Sequence, residues 1–492
     1  MNMPLNIQRL FAAAGLGLFS VALYLHGNEA LWNDEIYTLR EFVFKGLSAV
    51  LSDYHVPNNH ILANVLHWAW LKVTGARELG VLLDAAWRIR LWPALLAGPT
   101  AWLVFRAGKQ IGGMPAGWLA VFFLLTGVTF QQFAFQIRGY PLGMLAAGGF
   151  LMLTLQWTAE QQLGRWQYVG LAAAVAALLY AVPFNVYVVA AVCVAALPAM
   201  KAVLRARGKT PVLAWLGAVA GGGLLAAALY LPVWSQVTSN EYVATGKAFQ
   251  KLHLDNALLV VRHFMSWRWL LAPVFLAGAW YAWKQHTSRQ QLILLAGALV
   301  LPFFFSALRG DTPPERIYSV LLPVFALLLT AGIEPLLRRL PAKTAGPAYV
   351  GILLYGLLTY GLSIYFVRQQ LRRGLEGTTR YQDLNYNYYQ HFYDPNREFD
   401  LFRSQFGGGT VLILESTDEH DLPVYLAHKR QAFVPLDSID AYLRRRQPMY
   451  VSSNFPKAFM REMSKMTPAW SCRYLQPQIR CPRIVVCEPR GE

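Results

Sequence analysis

Charge is what this sequence has least of. Asp, Glu, Lys and Arg make up 14% of its 492 residues, against roughly 25% in soluble domains. The shortage falls on the acids: 27 face 44 bases, a formal net charge of +17. That composition argues against a water-soluble globular protein. It also gives no support to nucleic-acid binding, because no basic block is interleaved with an RNA- or DNA-binding motif. Cysteine is scarce as well. Cys193, Cys472, Cys481 and Cys487 make neither a disulfide framework nor a zinc site. Cys193 sits in an apolar run and reads as core. A Cys472–Cys481 bridge suits an exported C-terminal end, and it leaves an odd thiol there. Gly407-Gly408-Gly409 is no phosphate loop, since no Gly-Lys-Ser/Thr follows. Nucleophile elbow, dinucleotide fingerprint, zinc-type spacing, internal repeat and low-complexity tract are all missing.

Hydrophobic residues fill the gap. They reach 55%, with 16 Trp, 24 Tyr and 27 Phe, and the mean hydropathy is +0.32. The chain reads as a polytopic α-helical membrane protein. Apolar stretches at 8–26, 89–105, 115–133, 141–157, 167–181, 183–200, 212–233, 269–283, 291–307, 318–333 and 347–366 give about eleven spans. A signal peptide competes for the first. No small-x-small cleavage site precedes Trp32, and further spans follow, so it reads as an anchor. The pair between 167 and 200 could be one broken helix or two.

The positive-inside rule tests the alternation. Arg9 favours a cytoplasmic N-terminus. The clusters Lys201, Arg205, Arg207, Lys209 and Arg338, Arg339, Lys343 then fall inside, provided 167–200 is two spans. Those bases also suit anionic membrane lipids. The chain divides into a transmembrane domain over 1–366 and a small exported α/β domain over 367–492. In the latter, Gly409–Glu415 and Ile484–Cys487 read as strands and Asp437–Arg446 as a short helix. The implied address is a bacterial-type inner membrane, with the C-terminal domain on the outer face.

Within the first exported loop, 27–82, Ile36–Leu51 has the spacing of an amphipathic interfacial helix. Ile61–Val73 is apolar but too short to span. The loop opens with Leu31-Trp32-Asn33-Asp34-Glu35-Ile36-Tyr37, two carboxylates just past the first span. Three more polar motifs fall on the same side: Asn58-Asn59-His60, Phe135-Gln136-Ile137-Arg138-Gly139-Tyr140, and Arg309 to Tyr318 with Asp311, Thr312, Glu315 and Arg316. Each has an ordinary reading. Arg138 and Arg316 could anchor at the interface, His60 could cap the next helix, and Tyr140 and Tyr318 could belong to an aromatic belt. Their recurrence on one face favours a site, because charge at membrane depth is costly.

Asp-Glu-x-Tyr, the Asn-Asn-His turn, Trp87-Arg88-Ile89-Arg90-Leu91-Trp92-Pro93 and the two Arg-x-Tyr turns together resemble the GT-C superfamily of polytopic glycosyltransferases. The likeness is to its glycosyltransferase-39-like branch, akin to protein O-mannosyltransferases and aminoarabinose transferases. The resemblance implies inverting transfer of a sugar from a polyprenyl-phosphate donor to an acceptor protein, lipid or glycan. On that reading Asp34 takes or orients the acceptor proton, with Glu35 beside it. Arg138, Arg316 and Tyr318 meet the donor phosphate. Tyr37, Asn58, Asn59, His60, Gln136 and Tyr140 contact sugar or acceptor. Many relatives carry a carboxylate where this chain has Gln136. An amide binds hydroxyls but holds a divalent metal poorly, so a metal-dependent mechanism is disfavoured and no cofactor is assigned. A transporter or flippase is the alternative. It predicts acids deep in the spans and inverted repeats, and the sequence shows neither. A non-catalytic scaffold leaves the Asp34 and arginine motifs without a role.

Overall fold

The computed structural model describes residues 4–27, 29–240, 253–310, 313–375, 395–407, 409–414, 421–453, 456–475 and 483–490. The apolar stretches are helical, as a backbone in lipid must be to satisfy its own hydrogen bonds. Among the described residues, six helices are long and apolar enough to cross a membrane: Leu5–Gly27, Tyr140–Glu160, Lys209–Ser239, Ser288–Arg309, Glu315–Leu337 and Lys343–Tyr365. Two bent pairs, Trp87–Leu125 with Val128–Ala134 and Pro183–Ala195 with Leu197–Arg207, raise the number to 8 if each is one span. The protein is therefore a multi-pass helical membrane protein.

All eleven expected stretches fall on helix, but eleven full-length spans do not result. The reason is length and continuity. Arg165–Ala181 has 17 residues and Ala272–Trp283 has 12, about 25 Å and 18 Å at 1.5 Å per residue, against about 30 Å of hydrocarbon. Trp87–Leu125 is broken at Gly112 and Gly113. Between 167 and 200 the chain makes separate helices. Val182 is extended, Pro183–Asn185 forms a 3₁₀ turn, and Val186–Ala195 begins anew. Its halves pack on different partners, Arg165–Ala181 on Lys209–Tyr230 and Val186–Ala195 on His286–Arg309.

The main core runs through the helical body. In it Trp215 stacks between Phe150 and Trp157, with ring centroids 6.3 and 5.5 Å away. The first loop is built from shorter pieces than expected. Ile36–Leu51 is not one helix. It comprises Asn33–Thr38, a π-helical turn Leu39–Val43, and Leu47–Ser52. Gly46 ends the run at φ +106, a conformation only glycine adopts easily. The apolar face survives the break: Ile36, Leu39, Phe42, Val43 and Val50 are all buried. The short helix expected after His60 is present as Ile61–Thr74.

The helix Ala342–Leu375 runs past the expected boundary at 366. Beyond it lies an α/β unit with strands β1 (Leu412–Leu414), β2 (Phe433–Pro435), β3 (Met449–Ser452), β4 (Trp470–Tyr474) and β5 (Ile484–Pro489). They form a five-stranded sheet in the order β2-β1-β3-β5-β4. The first three strands are mutually parallel, and β5 is antiparallel to both β3 and β4. The expected Cys472–Cys481 bridge is corrected. Cys472 on β4 lies opposite Cys487 on β5 and is bonded to it, because the antiparallel register brings their Cα atoms to 4.1 Å. Cys481 and Glu415 lie outside the described residues, as do Asp311 and Thr312. The α/β unit shares one hydrophobic core with the first loop: Leu31, Ile36, Leu39 and Val43 pack in the same cluster as Phe399, Phe402, Leu412, Leu414 and Leu426.

Candidate functional site

Trp32 is extended and the helix Asn33–Thr38 starts after it. Asp34 and Glu35 thus sit in a first helical turn, where unpaired backbone N–H groups favour carboxylates. Neighbours on a helix do not face the same way, and the two acids part at once.

Glu35 turns inward. Its side chain is fully buried and meets Arg90 Nη2 at 2.6 Å. Its carboxylate also accepts the backbone N–H groups of Trp32 at 3.2 Å and Ile137 at 3.0 Å. Arg90 gives its other hydrogens to the carbonyls of His26, Glu29 and Ala30. The expectation that Glu35 stands beside Asp34 towards a substrate is therefore corrected. Its oxygens already tie the end of the first helix, the Asp34 helix and the Arg138 turn to one guanidinium.

Asp34 turns the other way. Its Oδ2 lies 3.2 Å from Arg138 Nη1 and 3.4 Å from Arg316 Nη2. Its Oδ1 accepts from Asn58 Nδ2 at 3.3 Å, and Asn58 Oδ1 accepts from Arg138 Nη2 at 3.1 Å. Arg138 is 2% exposed. Arg316 lies over the Trp32 ring and Arg138 over the Tyr140 ring, each 5.8 Å from the centroid. Two guanidinium groups meet one carboxylate beside the buried Arg138 side chain, and charges act strongly where little water reaches.

Among the described residues, both ends of the buried Gln136 amide, Trp32 Nε1 and Arg138 Nε have no hydrogen-bond partner. Protein interiors rarely leave such groups unpaired. With two guanidinium groups close by, they suit an anionic, hydroxyl-rich ligand. Asp34, bracketed by two arginines, is poorly disposed to a divalent cation. Among the described residues no three His, Cys, Asp or Glu side chains come together as a metal set.

The remaining expected residues divide. Asn59 does not face a ligand, which corrects that expectation. Its amide hydrogens go to the Val50 and Asp53 carbonyls, and its oxygen accepts from Asn64. His60 bonds the Ala181 carbonyl through Nδ1 at 3.1 Å. Burial, then the nearby Arg138 charge, pushes its pKa well down, so it stays neutral. Tyr140 is buried edge-on against His60 and Phe133. Tyr318 stacks on Phe303 and meets Ser306 Oγ at 3.0 Å. Tyr37 bonds His55 Nε2 at 2.8 Å.

Three residues have a place here that sequence reasoning missed. Arg90 was visible only as part of a motif, and its partner Glu35 is 55 residues away. Tyr425 of the α/β unit accepts a hydrogen bond from the Leu31 backbone at 2.9 Å; nothing in its local sequence announces that. Arg268 is 4% exposed. Among the described residues it donates to the Phe264 carbonyl and the Thr126 hydroxyl, both neutral. Its signal was readable: a lone cation in the apolar run from Met265 to Leu271. Thr126 and Gln136 flank the short helix Val128–Ala134, so Arg268 and Arg138 sit towards its opposite ends.

No protein-family model matches the sequence, and no curated protein does. Solved structures match. ArnT from Cupriavidus metallidurans bound to undecaprenyl phosphate aligns with a TM-score of 0.53 at 14% identity, over 97% of this chain and 97% of that one. The apo form of the same protein aligns at 0.47 and 14% identity, over 98% and 97%. The Archaeoglobus fulgidus oligosaccharyltransferase, in a complex with Zn and sulfate, aligns at 0.43 and 15%, over 85% and 62%. The first of these shows the fold: the chain is built like that protein over nearly its whole length.

Proposed function

We propose that this protein is an inverting glycosyltransferase that moves a sugar from a polyprenyl-phosphate donor to an acceptor on the outer face of the membrane. The observation that carries the reading is the Arg138–Asp34–Arg316 trio, with Arg138 buried, and the buried Gln136 amide two residues before it that has no partner among the described residues. The undecaprenyl phosphate bound to the similarly folded ArnT and the basic loops assigned to the opposite face support it.

The chemistry follows from the charges. The acceptor attacks the anomeric carbon, and the bond from that carbon to the phosphate oxygen breaks on the far side. The electron pair leaves on the lipid phosphate. That group departs as an anion, so it needs charge stabilisation more than protonation. Arg138 and Arg316 supply it, with charge-assisted donors held in place before the reaction. Gln136 reads sugar hydroxyls with both ends of its amide. Asp34 keeps the two arginines in register and orients the acceptor. Glu35 and Arg90 position this set without touching substrate.

The test is transfer of radiolabelled sugar from a synthetic polyprenyl phosphate by purified protein. Asp34→Asn should lower turnover by about 10²-fold through lost orientation, with the melting temperature kept. A folded Asp34→Asn protein with full turnover overturns the role of Asp34. Reporter fusions that place residues 29–84 in the cytoplasm overturn the whole scheme.

A further inference from the structure

One cluster beside the site has no role so far. Asp53 Oδ1 accepts from the His55 backbone N–H at 3.1 Å and lies 2.5 Å from His55 Nδ1. A carboxylate there fixes the hydrogen on Nδ1, which leaves Nε2 as an acceptor. Tyr37 Oη lies 2.8 Å from that Nε2 and donates to it. The order of the contacts is thus phenol, imidazole, carboxylate, the arrangement that moves a proton away from an attacking oxygen.

The relay is aimed at the site by two spacings of three. Tyr37 is three residues beyond Asp34 on one short helix, and residues three apart share a helix face. His55 is three residues before Asn58, which bonds both Asp34 and Arg138. One loop therefore touches one helix face twice, once at the cation trio and once at the phenol. The His55 and Asp53 side chains are 46% and 34% exposed, so a proton received there reaches water. Among the described residues, Phe42 lies 5.5 Å from the imidazole and Asn240 donates to the His55 carbonyl. Glu41, Arg40 and Lys45 are described charges that also act on Tyr37. Burial first, then Glu41 and Asp53, raises the Tyr37 pKa. The phenol thus stays protonated and passes a proton on.

Asp34 is badly placed to be the base. Two arginines and an amide already contact its carboxylate, and cations lower a carboxylate's basicity. A phosphate acceptor needs no base, because its oxygen is already anionic. A hydroxyl does.

We propose that Tyr37, His55 and Asp53 are the proton-accepting relay of the transfer reaction, and that the acceptor is a neutral hydroxyl. This rests on the glycosyltransferase reading above. As the acceptor oxygen bonds to the anomeric carbon, its proton passes to Tyr37 Oη. The Tyr37 proton passes to His55 Nε2, and Asp53 stabilises the imidazolium. The electron pair of the broken bond stays on the lipid phosphate, and His55 later releases its proton to water.

The experiment uses full-length protein in nanodiscs, a polyprenyl phosphate carrying a labelled hexose, and three acceptor probes: a long-chain alcohol, a more acidic phenol and an alkyl phosphate. Wild type should transfer to the alcohol, with a rate that falls on the acid side. His55→Gln should lose about 10²- to 10⁴-fold with the alcohol, lose the acid limb, and recover at least tenfold of that loss with the phenol. Tyr37→Phe should behave alike, and all should bind polyprenyl phosphate as wild type does. A loss equal for alcohol and phenol, an acid limb retained in His55→Gln, or transfer to the alkyl phosphate alone overturns the relay. Wild type that transfers to no probe overturns the glycosyltransferase reading and the relay with it. Wild type that transfers while the variants match it overturns the relay alone.

Discussion

Asp34 and Glu35 are adjacent acids with opposite fates, and the difference lies in geometry rather than residue type. Glu35 has Arg90 and two backbone N–H groups; Asp34 has a shared pair of arginines and some contact with solvent. The sequence showed the pair and its place after the first span. It could not show which acid is buried, because the deciding partner comes 55 residues later. Removing that partner strands a buried carboxylate. Arg90→Ala should cost about 3–5 kcal/mol, read as a lowered melting temperature in detergent. Arg90→Lys should recover little, because an ammonium cannot match the fork that reaches three carbonyls and a carboxylate. A melting temperature unchanged in Arg90→Ala would remove Glu35 from the supporting structure.

At the scale of elements, the site is two turns pressed together. The turn bearing Arg138 meets the His60–Ala181 contact at Gly139. A Cβ there would stand 2.5 Å from both the Ala181 carbonyl oxygen and His60 Nδ1, so it would wedge apart the hydrogen bond that seats Arg138. Gly139→Ala should destabilise by roughly 1–3 kcal/mol and weaken polyprenyl-phosphate binding. Isothermal titration with the lipid, beside a melting curve, checks both. The motifs of this pair of turns were legible because charged residues in an apolar chain stand out. Helix boundaries were less so. Gly46 was in plain view inside Ile36–Leu51, yet the hydrophobic spacing on either side of it stayed in register and masked the break. Apolar length likewise overstated the spans, since hydropathy does not register a bend such as that after Leu125.

At the scale of the whole molecule, the α/β unit is part of the site's frame. Tyr425 receives the Leu31 N–H three residues before Asp34. His428 and Lys429 meet Asp84 at 3.0 and 3.5 Å, and Asn396 donates to the Leu83 carbonyl. An α/β unit after the spans was readable from composition; its seat on the first loop was not, because long-range pairing leaves no local pattern. Tyr425→Phe leaves a buried N–H without its acceptor, at a cost of about 1–3 kcal/mol. Hydrogen exchange in the peptide containing Leu31 should quicken, and turnover should fall. Unchanged exchange there would show that the hydroxyl does not hold the loop.

That contact also sets an order of assembly. Leu31 and Tyr425 are 394 residues apart. At about 5–20 residues per second the ribosome needs roughly 20–80 s to cover that distance. Arg90 follows Glu35 by about 3–11 s at the same rate and can fasten it early. The Leu31 backbone waits until Tyr425 has been made. A nascent product that stops before Tyr425 thus carries the arginines and the aspartate without the clasp that sets their spacing. The first loop is fastened only once the α/β unit has folded against it.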